Sequence, residues 1–515
     1  MSVFDLSAFV GEFGSKIDYL LNEASDTVVC SLNDIAADEF DLLIKKAVES
    51  GFAFVSARHC GDNRFCVYRL GDDALYLSYY PAVRSARLVY EQDCSYLSLE
   101  DVGTGASVRP MITQVDLEDY GLSYVVRTCD GRFIVFDGGW EFEPDADSLY
   151  KVLCEQSGGG VPVIAAWIMT HPHIDHYRCF LVFHKKYGDK VRIERFIYNF
   201  PDPNCDAELI PLILHQDEYY HITRLNDIVK YEAEQNGAVL YRAHTGQVYE
   251  LGGVRMEVLT SPDDTFKPPV TGSNNISLVF RLTVMGQTIL MTGDSNLKYS
   301  KLASRFGGYL KCDILQLTHH GFGGGDNDAY RLVDPHTVLA PVFEREAFGT
   351  MCIYMEHNLP LIYDMNVEDF YVGGNGNISL TLPYTPRPNG RKLMFDAIEY
   401  RQNQCGARTW FFCDMTLDDA KFTFVNTTYR PIRVTCDLYF EDKADIVTNI
   451  EIEVPAFSFV RRDLAREGDV DDNALFFNRS ALFKKGIKPG AVFAARFTCR
   501  VPFVVKGNKA ADFYA

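Results

Sequence analysis

The feature that most limits what this chain can fold into is a nearly continuous apolar run at residues 163–169. After Thr170 it gives way to His171-Pro172-His173-Ile174-Asp175-His176. A strand apolar on successive positions must be covered on both faces, which calls for a sheet inside a layered α/β arrangement. Helix-compatible composition follows at residues 177–187, so the histidine-rich stretch is the loop between a buried strand and a helix. Twelve histidines occur in the whole chain, yet three fall within these six residues and two more are adjacent at 319 and 320. Chance placement does not explain that clustering.

Two further strands end in residues of the same chemical kind. Leu290-Met291-Thr292-Gly293-Asp294 delivers a carboxylate, and Ile314-Leu315-Gln316-Leu317-Thr318-His319-His320-Gly321 delivers two imidazoles. Neutral imidazole and carboxylate are zinc ligands, and groups packed behind them orient them through second hydrogen bonds. A pair of zinc ions about 3.5–4 Å apart would lower the pKa of a shared water to around 7, so hydrolysis by zinc-bound hydroxide is the expected chemistry. Asp175 or His320 would assist proton transfer.

At 515 residues the chain exceeds what one hydrophobic core usually supports. Residues 1–108 read as a small α+β domain, with an amphipathic stretch at 34–50 and β-rich runs at 64–70, 74–80 and 87–90. Its lone His59 reads as a surface or packing residue. Residues 109–387 alternate strands with helical stretches and include a hairpin-like pair, 124–127 and 133–136, around Asp130-Gly131. The Pro386-Arg387-Pro388-Asn389-Gly390-Arg391 segment is a linker. Beyond it, residues 388–515 read as a β-rich accessory domain with runs at 409–413, 422–424, 432–440, 446–454 and 491–505. Trp410, Phe411 and Phe412 are expected in its core.

A net charge of -20 opposes bulk nucleic-acid binding, which needs clustered Lys and Arg, but leaves room for a small anionic substrate at a metal centre. The opening residues lack a basic run followed by an apolar core, and no apolar stretch reaches membrane-spanning length, so neither export nor membrane insertion is expected. The fourteen cysteines show no disulfide-scaffold spacing and no Cys-x-x-Cys pair. A cytoplasmic location with no membrane partner is the expectation; homo-oligomerisation is left open.

The His-x-His-x-Asp-His segment resembles the hallmark of the metallo-β-lactamase superfamily, over roughly residues 110–386. Asn274-Asn275-Ile276-Ser277-Leu278-Val279, Thr292-Gly293-Asp294 and Thr318-His319-His320-Gly321 are similar to the branch containing the hydrolase domain of competence DNA-uptake (ComEC-like) proteins. The resemblance implies a four-layer αβ/βα sandwich, flanked here by the small N-terminal α+β domain and a C-terminal β-sandwich. It implies that His171 and His173 bind the first metal, Asp175 and His176 the second, and that Asp294 bridges them. His319, nearest the strand end, would complete the second site, and His320 would face substrate as a proton donor. Asp137, in Phe136-Asp137-Gly138-Gly139, would brace the histidine loop. The cofactor implied is zinc, two per chain, with manganese or iron as alternatives.

This chain departs from the family pattern in two places. Tyr177-Arg178-Cys179 stands where many members carry a glycine pair, which points to a narrower pocket. The usual lone histidine of the first site is not evident: Asn274 or Asn275 occupies that region, and His244 lies about thirty residues earlier. Histidines 184, 215, 221, 244, 336 and 357 read as packing or surface residues. Residues 322–325 are either a substrate-contact loop or simply flexible backbone. The implied substrate is a phosphodiester or related phosphoester, small or oligomeric. A lactone, thioester or β-lactam on the same fold is the alternative, and a non-catalytic binding or regulatory protein the third reading.

Overall fold

The computed structural model describes residues 4–24, 26–94, 101–201, 216–265, 272–348, 361, 364–404, 406–418, 420–428, 430–441, 447–456, 458–463, 482–483 and 486–514. His215 and His357 lie outside the described residues. The chain forms two compact units, Met1–Phe343 with Pro360–Pro388, and Glu344–Leu359 with Asn389–Ala515.

In the first unit the strand Val163–Ile168 is buried at every position after Val163. It lies inside an eight-stranded sheet, parallel to Phe133–Asp137 on one side and to Arg195–Tyr198 on the other. Its alternating side chains explain the unbroken apolar run. Ile164 and Trp167 join Leu149 and Leu153 of the helix Glu143–Gln156 and Phe180 and Phe183 of the helix Arg178–Tyr187. Ala166 and Ile168 face the other way, into a core shared with Phe280, Met291 and Ile314 of a second sheet. The expected hairpin is present, with Ser123–Arg127 antiparallel to Phe133–Asp137.

That second sheet has seven strands, among which Gln287–Met291, Ile314–Gln316, Thr337–Phe343 and Asp369–Gly373 run parallel. The short helices Leu302–Phe306 and Asn327–Val333 follow its strands and bury Leu302, Phe306, Tyr330 and Val333. Two facing sheets with helices outside them give the four-layer αβ/βα sandwich. Its three polar strand ends, at Thr170, Asp294 and His319, all leave the carboxyl ends of parallel strands, where ligand crevices of α/β sheets form.

The N-terminal segment forms a six-stranded antiparallel sheet, with Phe40, Leu43 and Ala47 of the helix Ala37–Glu49 packed on it. It belongs to the same compact unit as the sandwich. Arg58 pairs with Glu257 at 3.0 Å, Asn63 donates to the Arg305 carbonyl at 2.8 Å, and the Tyr80 hydroxyl donates to Asp264 at 3.1 Å.

In the second unit a fifteen-residue strand, Phe493–Gly507, pairs with Ile432–Phe440 through residues 493–498, with Ala407–Met415 from Phe493 to Phe503, and with Lys421–Asn426 through residues 504–507. It thus serves both sheets of a β-sandwich. Phe412 lies in the core as expected, whereas Trp410 and Phe411 are only half-buried, Trp410 being stacked on Tyr514 at 5.1 Å. Among the described residues no helix is long and apolar enough to cross a membrane.

Candidate metal centre

The three strand ends meet at one carboxylate. Asp294 Oδ2 lies 3.2 Å from His176 Nε2, 3.4 Å from His320 Nε2, 3.8 Å from His319 Nε2 and 3.9 Å from His171 Nε2. Around it two ligand groups form: His171, His173 and Asp294, and Asp175, His176 and His320. Asp175 Oδ2 closes the second at 3.0 Å from His320 Nε2.

A buried framework holds these side chains. Asp137 accepts from the Thr170 amide and hydroxyl, each at 2.7 Å, and from His176 Nδ1 at 2.8 Å. It does so from a left-handed backbone, φ 54°, a conformation that costs energy for a residue with a side chain and persists because three donors converge there. With Nδ1 committed as a donor to Asp137, the His176 ring is fixed with Nε2 pointing at Asp294. His320 is fixed the same way, Nδ1 facing the Pro341 carbonyl at 3.0 Å. Gly293 takes φ 52°, and a Cβ there would sit 3.0 Å from the Thr170 side chain. Only glycine lets the Asp294 loop approach the histidine loop this closely.

The electrostatics follow from burial and carboxylate proximity. Burial, reinforced by His176, drives His171 well below the usual imidazole range, and burial brings His173 down to about 4, so both are neutral and have lone pairs to donate. Burial also opposes charge on His176 and His320, but Asp294 and Asp175 outweigh it. His176 rises well above the usual range and His320 to about 10. Asp294 is held well below the usual carboxylate range because His176 and His320 overcome its burial. Two carboxylates and several imidazoles focused on one point are the balance a cation would complete.

The donor set fits that role. His171 Nε2 and Asp294 Oδ1 are buried without a hydrogen-bond partner, and the buried Nε2 atoms of His176 and His320 meet only the carboxylates of the cluster itself. Buried polar atoms in folded proteins are nearly always satisfied, so nitrogen and oxygen atoms in two adjoining groups with no partner outside the cluster fit a candidate metal site.

The geometry corrects the sequence reading at one pair. His319 was expected as the ligand and His320 as the substrate-facing donor; the structure puts His320 in the ligand group. Both residues have positive φ, 47° and 53°, so the backbone coils left-handed after Thr318 and swings the second imidazole inward. The His320 side chain is 2% exposed and that of His319 32%. His319 Nε2 lies 3.1 Å from Asn274 Nδ2.

His244 is no ligand: its ring is paired with Asp263 and Glu91. The first group's third-histidine region instead brings Ser273, whose hydroxyl bonds His173 Nε2. Sequence reasoning missed Ser273, because a serine beside Asn274 carries no metal signature. Tyr177, Arg178 and Cys179 do not narrow a pocket. All three are buried, with Tyr177 and Arg178 both bonded to Glu218 at 2.8 Å. Phe322 packs on Tyr120, and the Gly324 carbonyl accepts from Leu297 at 2.8 Å, so residues 322–325 are anchored. His184 pairs with Glu232, His221 lies by Glu141, His336 contacts Thr337, and His59 is exposed.

Residues 117–322 match the family model described as Metallo-beta-lactamase superfamily. No curated protein sequence matches the chain. Among solved structures, the metallo-beta-lactamase fold protein YhfI from Bacillus subtilis is 13% identical, covering 52% of this chain and 99% of that one, with a TM-score of 0.32. CmlA, a diiron beta-hydroxylase from Streptomyces venezuelae, is 10% identical, covering 54% and 55%, with a TM-score of 0.33. The Anabaena sensory rhodopsin transducer is 20% identical, covering 20% and 94%, with a TM-score of 0.15.

Proposed function

We propose that this protein is a dinuclear metal-dependent phosphoester hydrolase, a reading supported by the match of residues 117–322 to the metallo-β-lactamase superfamily. The observation that supports the dinuclear reading is the position of Asp294, shared by two groups in which the buried Nε2 atoms of His171, His176 and His320 have no partner outside the cluster. His171, His173 and Asp294 would hold one cation, and Asp175, His176 and His320 the other, with Asp294 between them. Zinc suits this nitrogen and carboxylate set; manganese or iron are alternatives. When bound, such cations supply Lewis acidity and lower the pKa of water to around 7.

The chain's own residues do the rest. Asp137 and the Pro341 carbonyl hold His176 and His320 with Nε2 facing inward. Burial keeps His171 and His173 neutral. His319, half-exposed beside Asp294, replaces His320 as the imidazole that meets substrate. Asp175 remains the carboxylate placed to take up a proton, its pKa held down by His176 and His320 against the effect of burial.

What supports a phosphoester is the resemblance to the DNA-uptake branch together with the convergence of the segments that carry it. Asn274 meets His319, the His319 amide donates to the Gly293 carbonyl at 3.1 Å, and Asp294 follows. The test is a substrate panel on zinc-loaded protein: phosphodiesters and phosphomonoesters beside lactones, thioesters and β-lactams. Phosphoester turnover that a chelator abolishes and Asp294→Ala removes is expected. Fully loaded protein that ignores every phosphoester but opens a lactone or thioester would refute the substrate class.

A further inference from the structure

Beside the metal centre stands a row of aromatic rings that holding metal does not require. The Tyr120 ring lies edge-on to His320, centroids 5.4 Å apart, and edge-on to Phe322 at 5.5 Å. Trp140 also packs edge-on to Tyr120 at 5.8 Å, and Phe142 stacks on Trp140 at 5.6 Å with their planes 7° apart. Tyr120, Trp140 and Phe322 are half-buried, while Phe142 and the neighbouring Ile174 are exposed at 42% and 37%. The row therefore runs from a ligand histidine out to solvent.

The row is built to stay in place. Asp145, fully buried, accepts the amide of Glu118 at 2.9 Å and that of Trp140 at 3.1 Å, tying together the two loops that carry the rings. Trp140 Nε1 donates to the Tyr120 carbonyl. Gly139, with φ 104°, leaves the room this needs, since a Cβ there would press on Asp145 and Leu117 at 3.0 Å. Both loops are also bonded to the histidine loop: the Leu122 amide donates to the Asp175 carbonyl at 3.1 Å and the Gly139 amide to the His176 carbonyl at 3.0 Å. The rings are thus in register with the metal ligands before any substrate arrives, and a flat ligand group loses little by ordering against them.

The charge around the rings bounds the size of that ligand. Asp116, Glu118 and Asp119 precede Tyr120, and Glu141 and Glu143 flank Phe142, in a chain of net charge -20. A nucleic-acid strand would lay successive phosphates along a rim where these five carboxylates outnumber the two basic side chains that pair with them, Arg224 at 3.0 Å from Glu141 and Lys186 at 3.4 Å from Glu143. A single phosphate at a cation pair avoids that rim. We propose that the substrate is a compact phosphoester bearing one planar heterocycle, nucleotide-sized rather than a strand. Its ring lies against Tyr120, Trp140 and Phe322, and its phosphate reaches the Asp294 centre. This rests on the phosphoester reading above.

Isothermal titration of the zinc-loaded full chain with adenosine 5′-monophosphate and ribose 5-phosphate tests it. Base–aromatic stacking predicts that the adenosine compound binds roughly tenfold or more tightly. Tyr120→Leu and Trp140→Leu, each checked for unchanged zinc content and circular dichroism, should bring that ratio toward one. Equal affinities in the wild-type protein, or a ratio that neither substitution moves, would overturn the proposal and leave the phosphoester reading standing. A single-stranded oligonucleotide bound more tightly than the mononucleotide would overturn the size limit. If neither phosphate compound binds, the phosphoester reading fails and this inference with it.

Discussion

His244 offers the sharpest test of the energetics. Its imidazole is fully buried, with Nδ1 3.0 Å from Asp263, Nε2 3.3 Å from Glu91 and the ring 4.5 Å from that of Tyr76. Glu91 and Tyr76 come from the N-terminal sheet and Asp263 from the sandwich, so this cation joins the two. Burial disfavours its charge, but Asp263 and then Glu91 outweigh that and raise it from 6.5 to about 10. At about 1.4 kcal/mol per pKa unit, that rise corresponds to ~5 kcal/mol of preference for the folded state. His244→Leu leaves two buried carboxylates facing an apolar group. Asp263 keeps the Ser261 hydroxyl at 2.6 Å, and Glu91 keeps Arg242 at 3.6 Å, which softens the loss. The expected destabilisation near pH 7 is about 3–4 kcal/mol, within the range for breaking buried ion pairs.

The pH dependence has a defined sign. The folded pKa is raised, so the stabilisation is complete below about pH 6.5 and disappears as pH climbs through about 10. Urea unfolding of metal-free wild-type and His244→Leu protein, followed by near-ultraviolet circular dichroism at several pH values, gives the difference directly. The gap between the two should narrow steadily above about pH 7. A loss below about 1 kcal/mol at neutral pH, or one that stays constant up to about pH 10.5, would refute the assignment of a charged imidazole at this junction.

The ligand assignment is checked by metal analysis of two neighbouring substitutions. His320→Ala should lower zinc content from about two toward one per chain, while His319→Ala should leave it intact; the reverse pattern would restore His319 as ligand. Asp137→Asn should weaken zinc binding roughly 10–100-fold in competition with a chromophoric chelator, because the amide no longer holds the His176 tautomer. Affinity equal to wild type would remove Asp137 from the supporting framework.

Much of the centre was legible because its information is local. An apolar strand followed by His171 to His176 fixes a buried strand end, and the chemistry of imidazole and carboxylate names the purpose. Asp294 and the 319–320 pair stood out by the same pattern, as did Asp137 through its motif. The helix at 37–49 and the strand at 432–440 were likewise readable from periodicity and β-branched composition. What sequence could not decide were matters of direction and long-range company. Whether His319 or His320 turns inward depends on two left-handed backbone angles set by the packing around Thr318 and Pro341. His244 reads from sequence as one more packing or surface histidine, and only the N-terminal sheet, which places Glu91 against it from some 150 residues earlier in the chain, makes it a buried ion pair. Tyr120 and Trp140 carry no motif at all, and only the Asp145 tie between their loops reveals a shared surface. The sequence alone determined which atoms could bind metal, because that is a property of side-chain type. The tertiary structure decided which of them meet, because backbone handedness and packing between distant segments set the direction of each side chain.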